Sequence, residues 1–260
     1  MLHGIDPLFA LSGLAVGLLV GFTGVGGGSL MTPLLVLAFG VPPATAVGTD
    51  LLYAGLTKVS GGAVHAYHGA VDWRITRRLA YGSVPAALLS LLLLAHFGST
   101  SKASGGIITT TLGVALILTA GMLIFRKALL PRLARMVDGA SERTVGVLTI
   151  ALGAVLGVLV TISSVGAGAI GATILLTLYP RSPIVRIVGS DIAHAVPLTL
   201  IAGAGHWWLG SVDWHMLVSL LTGSIPGIVI ASHFASRVPD RVLRPIMAGT
   251  LAIVGGRLAF

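Results

Sequence analysis

The chain has 260 residues, a formal net charge of +8, a mean hydropathy of +1.00 and only 9% charged side chains. A soluble domain carries about a quarter charged residues, so these values exclude water as the main solvent and predict an all-α polytopic membrane protein. No cysteine is present, which removes disulfides, thiolate metal sites and cysteine nucleophiles.

Taken in chain order, residues 1–7 hold no Lys or Arg, so no signal-peptide n-region is expected and the apolar stretch that follows belongs to the structure. Segments free of Asp, Glu, Lys and Arg cover 9–40, 79–101, 103–125, 145–180, 192–212 and 214–236. Each is long enough to cross a hydrocarbon core, which takes roughly 20 helical residues. The glycine content, 36 residues, suits close helix packing in lipid, where small residues let backbones approach. The pattern lacks the ten-residue polar–apolar alternation of a membrane barrel.

The first segment, 9–40, is 32 residues long. Two crossings with a turn need more than about 40 residues, and one crossing needs half that. The cluster Gly24, Gly26, Gly27 and Gly28 interrupts it, which predicts a V-shaped pair of short helices meeting inside the membrane. Helices are expected near 44–67, 75–97 and 105–126. A basic connection then leads to 145–180, a 36-residue segment broken at Gly166 and Gly168. Further helices are expected near 184–209, 214–234 and 241–260. The chain thus divides into a first transmembrane repeat (1–126), a cytoplasmic basic connection (127–143) and a second, inverted transmembrane repeat (144–260).

Internal similarity supports the division. Sliding the chain by 141 residues superposes 48–85 on 189–226 with 14 of 38 positions identical. The matches include Gly48/Gly189, Asp50/Asp191, His65/His206, Asp72/Asp213, Trp73/Trp214, Gly82/Gly223 and Pro85/Pro226. Shared membrane composition repeats Leu, Ala, Gly and Val; it does not place Asp, His, Trp and Pro in step. With an offset of 140, Val25–Gly28 matches Val165–Gly168. The charges then suggest opposite insertion of the halves. If each V returns to its starting side, 13 of the 16 basic residues share one face, from Arg74, Arg77 and Arg78 to Arg237, Arg241 and Arg244. The positive-inside rule makes that face cytoplasmic. It also explains the net charge without nucleic acid, so no nucleic-acid partner is expected.

The run from Gly24 through Ser29 to Pro33, the Ala46-Val47-Gly48-Thr49 segment and the stretch from His65 to Asp72-Trp73, echoed by Gly189-Ser190-Asp191 and Gly210 to Trp214, resemble the TauE/SafE sulfite exporter family, also called the 4-toluene sulfonate uptake group. The resemblance covers nearly the whole chain. It implies a multi-pass protein of a bacterial inner membrane that moves a small sulfur oxyanion, either sulfite or an organosulfonate such as sulfoacetate. In one respect the chain departs from the family: Gly-Thr-Ser is common where Gly48-Thr49-Asp50 and Gly189-Ser190-Asp191 stand here.

Candidate site residues follow from the glycine bends. The second arm of each V points its N-terminus at mid-membrane, where unpaired amides and the positive dipole end favour an anion. Gly26, Gly27, Gly28, Gly166 and Gly168 form the bends, and Ser29, Thr49, Ser163, Ser164 and Ser190 offer hydroxyls. The plainer alternative is that the glycines only permit tight packing. Lys58 lies inside a predicted span; it serves as the substrate's counter-charge, pairs with Asp50, or snorkels to an interface. Asp50 and Asp191 either cap their helices or couple protons to transport, with His194 one turn after Asp191 as a relay. His65, His206 and the Asp-Trp pairs 72/73 and 213/214 are expected to be structural, the Trp residues anchoring at the interface.

An anion transporter working by alternating access is therefore the leading expectation, with export favoured because the membrane potential is inside-negative. A proton-coupled importer and an anion channel are the alternatives. No Gly-x-Ser-x-Gly elbow accompanies Ser163, Ser164 and His194, so no enzyme is expected, and no metal or cofactor. Expected partners are a small anion, the lipid bilayer and a second copy in a homodimer: the small-residue pairs Gly17/Gly21 and Gly153/Gly157 suit either internal packing or a dimer contact.

Overall fold

The computed structural model describes residues 5–23, 28–67, 71–97, 102–137, 139–166, 168–234 and 240–259. Regular structure among them is entirely helical: α1 (Pro7–Thr23), α2 (Gly28–Leu37), α3 (Pro43–Tyr67), α4 (Trp73–Phe97), α5 (Lys102–Val137), α6 (Glu142–Ser163), α7 (Ala169–Leu178), α8 (Ile184–Trp208), α9 (Trp214–Phe234) and α10 (Asp240–Ala259). Five of the described helices hold stretches long and apolar enough to cross a membrane: Trp73–Phe97, Gly105–Arg126, Glu142–Ser163, Ile184–Trp208 and Trp214–Ala231. Their outward positions are apolar as well, for example Leu88, Leu89, Leu92 and Leu93 on α4, as a lipid-facing surface requires.

Helix α3 is equally long, and its first half is enclosed. Every residue from 46 to 55 is buried, around the full circumference of the helix. A helix surrounded by protein can hold Thr49 and Asp50 away from lipid, which a peripheral helix cannot.

Each glycine-interrupted segment folds as a pair that returns to its starting side. Phe9 near the start of α1 stacks on Phe39 just beyond α2, with ring centroids 4.9 Å apart. The equivalent residues, 140 positions on, also meet: the Thr149 and Tyr179 hydroxyls are 2.8 Å apart. The expectation of two short arms needs one correction. α6 has 22 residues, enough to cross by length and composition, while α7 has 10, so the second pair is a long arm followed by a short one. The first arm is longer than the uncharged run suggests because Glu142 to Thr144 extend the helix upstream of it.

The connection between the halves is mostly helix. α5 continues through 127–137, since Leu, Ala and Arg are good helix formers and Pro131 is tolerated in the extension.

Packing follows the duplication. α1 lies on α9 and α4 on α6; α3 pairs with α8 and α5 with α10. Exchanging the two halves maps this set of pairs onto itself. The glycines Gly82, Gly153 and Gly157 bring α4 and α6 into backbone contact, and Gly13, Gly17 and Gly223 do the same for α1 and α9. Gly17, Gly153 and Gly157 therefore pack internally rather than at a dimer face.

Loops are tied to the helices in the same paired way. The Asp72 amide donates to Ser190 Oγ at 2.8 Å, and the Asp213 amide donates to Thr49 Oγ1 at 3.0 Å. Both aspartates then cap: Asp72 Oδ1 accepts from the Arg74 amide and Asp213 Oδ1 from the Met216 amide, each at 2.9 Å. Asp72→Ala and Asp213→Ala are each expected to cost about 1 kcal/mol, read as a lowered unfolding temperature in detergent, with Asn retaining most of the stability.

Candidate functional site

The break between α6 and α7 is built by backbone conformation. Ser164 ends α6 in the left-handed region (φ 59°), and its amide bonds back to the Val160 carbonyl. Gly166 and Gly168 follow at φ 126° and 107°, values that favour glycine. Ser163 is committed locally: its hydroxyl donates to the Leu159 carbonyl at 2.6 Å and accepts from the Val165 amide at 3.3 Å. The Ser164 hydroxyl, 7% exposed, faces the Asp50 carboxyl.

Two buried carboxylates flank this break. Asp50 is 0% exposed and accepts from Thr32 Oγ1 of α2. Asp191 is 2% exposed and lies at the first turn of α7, where the Gly168 amide faces it and a Cβ on Gly171 would collide with Oδ1. In both, Oδ1 has no hydrogen-bond partner among the described residues. The capping reading fails for both, because each is the eighth residue of its helix. Backbone amides there are already used by the helix.

Lys58 lies on α3 eight residues beyond Asp50, within electrostatic reach of both carboxylates. Its charge acts on Asp191 and Asp50, more strongly on Asp191. The side chain is half-buried and forms no ion pair with either among the described residues. The expected Asp50–Lys58 pair is thus an interaction at a distance, as eight residues along a helix, about 12 Å, require.

His194 Nε2 lies 2.7 Å from Ser83 Oγ of α4, and Nδ1 has no partner among the described residues. The duplicated position holds Tyr53, fully buried and facing Ser224 of α9. His206 Nε2 bonds the Thr161 carbonyl at 2.9 Å, a structural role. Thr49 and Ser190 sit beside the carboxylates in sequence, but their hydroxyls hold the Asp213 and Asp72 amides. Gly26 and Gly27 lie outside the described residues; Gly28 begins α2, the Ser29 and His65 side chains are not described, and α2 continues through Ser29.

Thr32, Tyr53, Ser83 and Gly171 were not expected from sequence. The identity of Ser83 and Ser224 under the 141-residue shift is the signal that points to the Ser83–His194 contact and to Ser224 as the residue that Tyr53 faces. At the 140-residue offset that superposes the two glycine breaks, Thr32 meets Ala172. Thr32→Val strips a hydroxyl that donates to Asp50, and is expected to lower stability by about 1–3 kcal/mol; Thr32→Ser should keep it, in thermal unfolding at neutral pH.

A cavity of about 960 Å³ opens among the N-terminal ends of α4 and α6, the extension of α5 and the α7–α8 loop, lined by Arg74, Arg78, Arg135, Arg181, Glu142 and Tyr179. It is separate from the carboxylate cluster but adjoins the Asp72–Ser190 tie. Arg74 and Arg78 both pair with Glu142.

An enclosed polar cluster at a helix break, in a duplicated bundle of membrane-length helices, is the architecture of a carrier rather than of a soluble binding domain. Sequence comparison agrees. The chain is 39% identical over 252 residues to "Probable membrane transporter protein YjnA" of Bacillus subtilis (strain 168), covering 95% of this chain and 97% of that protein. It is 30% identical over 255 residues to "Probable membrane transporter protein YdhB" of the same organism, covering 94% and 96%. No solved structure matches. The family profile described as Sulfite exporter TauE/SafE spans residues 9–258. This multi-pass membrane protein belongs to the TauE/SafE sulfite exporter family of membrane transporters.

Proposed function

We infer that this chain is a secondary transporter of a small sulfur oxyanion, sulfite or an organosulfonate such as sulfoacetate, in a bacterial inner membrane. One observation carries the reading: the N-terminus of half-helix α7 opens inside the bundle beside the buried Asp50 and Asp191, both within electrostatic reach of the half-buried Lys58. An open helix terminus favours a negative group, and a lysine in a span marks a substrate pathway. The sulfur oxyanion rests on the family description.

The self-mapping set of helix pairs supports two repeats inserted in opposite senses, which rock about the central site to expose it alternately. The arginine-lined cavity lies on the face that the positive-inside rule makes cytoplasmic, where it concentrates anions ahead of the site. A monoanion leaving alone would gain about 2.3 kcal/mol per 100 mV, roughly fiftyfold in concentration ratio, so export needs no coupling if the anion travels alone. The two buried carboxylates favour the coupled alternative, in which a proton accompanies the anion.

Proteoliposomes containing the purified protein should move radiolabelled sulfite or sulfoacetate with a saturable rate and accelerate in the presence of the same anion on the opposite side. Unsaturable flux without counter-exchange would indicate a channel. Absence of flux for both anions under either voltage polarity would remove the substrate assignment.

A further inference from the structure

Asp191 stands where an anionic substrate would stand. Its carboxylate lies against the first turn of α7, faced by the Gly168 amide and in contact range of Gly171, whose missing side chain makes the room. It is 2% exposed, and Oδ1 has no hydrogen-bond partner among the described residues. Buried carboxylates normally collect donors. This one is enclosed but underbonded, at the helix end best suited to an incoming anion.

The surroundings set the charge count. α3 presents Lys58, with Asp50 beyond it. α8 itself contributes His194, held by Ser83 of α4. Helix α7 contains no titratable residue, and those of α6 are confined to its first turn, Glu142 and Arg143. With Lys58 charged and both aspartates ionised, the enclosed cluster carries one positive and two negative charges. A bound monoanion would add a third negative charge in a low-dielectric interior, where uncompensated charge is costly. A proton on Asp191 removes that excess, and at the same time releases Lys58 and the α7 terminus from their internal anion.

We propose that Asp191 and the transported anion exchange for the same electrostatic place, so that one proton travels with each anion. The proposal rests on the anion-transport reading above. The proton comes from water on the side the anion enters, forms an O–H bond on the Asp191 carboxylate, and returns to water as the anion leaves. No other bond changes. The proton cancels one unit of the anion's charge. Voltage therefore drops out of the movement of a monoanion, and direction follows the combined gradients of anion and proton.

The test uses proteoliposomes loaded with a pH-indicating dye, with membrane potential clamped by potassium and valinomycin. Methanesulfonate and sulfoacetate are the probes, because neither sulfonate carries a proton near neutrality. The wild-type protein is expected to move one proton per anion, and methanesulfonate flux should change less than about twofold over 100 mV, against the roughly fiftyfold driving ratio of an anion moving alone. In Asp191→Asn the proton-to-anion ratio of the remaining flux should fall towards zero, and that flux should become voltage-dependent. A wild-type protein that moves either probe without protons overturns the coupling and leaves the transporter reading intact. Failure to move any sulfonate or sulfite overturns both. Infrared difference spectra of the wild-type protein supply a reading independent of the variant's folding: adding sulfoacetate at fixed pH should raise a buried carboxylic-acid C=O band, and an unchanged carboxyl region would overturn the proposal.

Discussion

Lys58→Met is expected to lower anion flux on the order of a hundredfold, while Lys58→Arg stays within about tenfold of wild type. Lys58 is the cation whose field reaches both Asp50 and Asp191, and it forms no ion pair with either. It is thus placed to balance an added anion rather than to neutralise one fixed partner. Removing one member of a desolvated charge pair costs about 2–5 kcal/mol, and about 2.8 kcal/mol corresponds to a hundredfold. Arginine keeps the charge but presents a planar fork on a different stem, which accounts for the smaller loss. The fold should survive Lys58→Met, because the two carboxylates can neutralise by taking up protons. Flux per reconstituted protein, measured beside thermal unfolding, separates the outcomes. Unchanged flux would mean that Lys58 only snorkels to an interface.

Gly153→Val should be among the most destabilising single changes in the bundle. A Cβ at Gly153 would collide with the Leu79 carbonyl oxygen of α4, and one at Gly82 with the Ile150 carbonyl oxygen of α6. The obstacles are backbone atoms of the facing helix, so no side-chain rotation relieves them. Overpacking costs about 1–3 kcal/mol even where side chains can adjust; here about 3 kcal/mol or more is expected, with Gly153→Ala already harmful. Gly121 supplies the control. A Cβ there meets nothing within 4 Å, so Gly121→Ala should be neutral or stabilising by up to about 1 kcal/mol. Thermal unfolding of the purified variants in one detergent measures the difference. Equal stability of Gly153→Ala and Gly121→Ala would show that α4 and α6 do not approach this closely.

The same glycines show what was legible in advance. Gly82 and Gly223 repeat at an offset of 141, Gly13 and Gly153 at 140, and each pair proves to carry equivalent helix crossings. Element positions were readable because uncharged run length and paired Asp-Trp caps are local properties. α4, α8 and α9 begin within two residues of expectation. The continuation of α5 was not readable from run length, because arginines that end a lipid-facing span do not end a helix.

Site residues divide along the same line. The amino-acid sequence by itself determined the solvent, the duplication, the helix breaks and the unusual Asp50/Asp191 pair, since composition, periodicity and identity at a fixed offset are one-dimensional. It also singled out Lys58. Only the tertiary structure decided what those groups face. Asp50 meets Thr32 across helices and Ser164 across the two halves, whereas Asp191 rests on the first turn of α7. Thr49 and Ser190, plausible ligands by spacing, turn out to hold the loops at Asp213 and Asp72. The physical reason is that a hydroxyl or carboxylate buried in a bundle is defined by the partner the packing brings to it, and those partners lie 18 to 164 residues away along the chain.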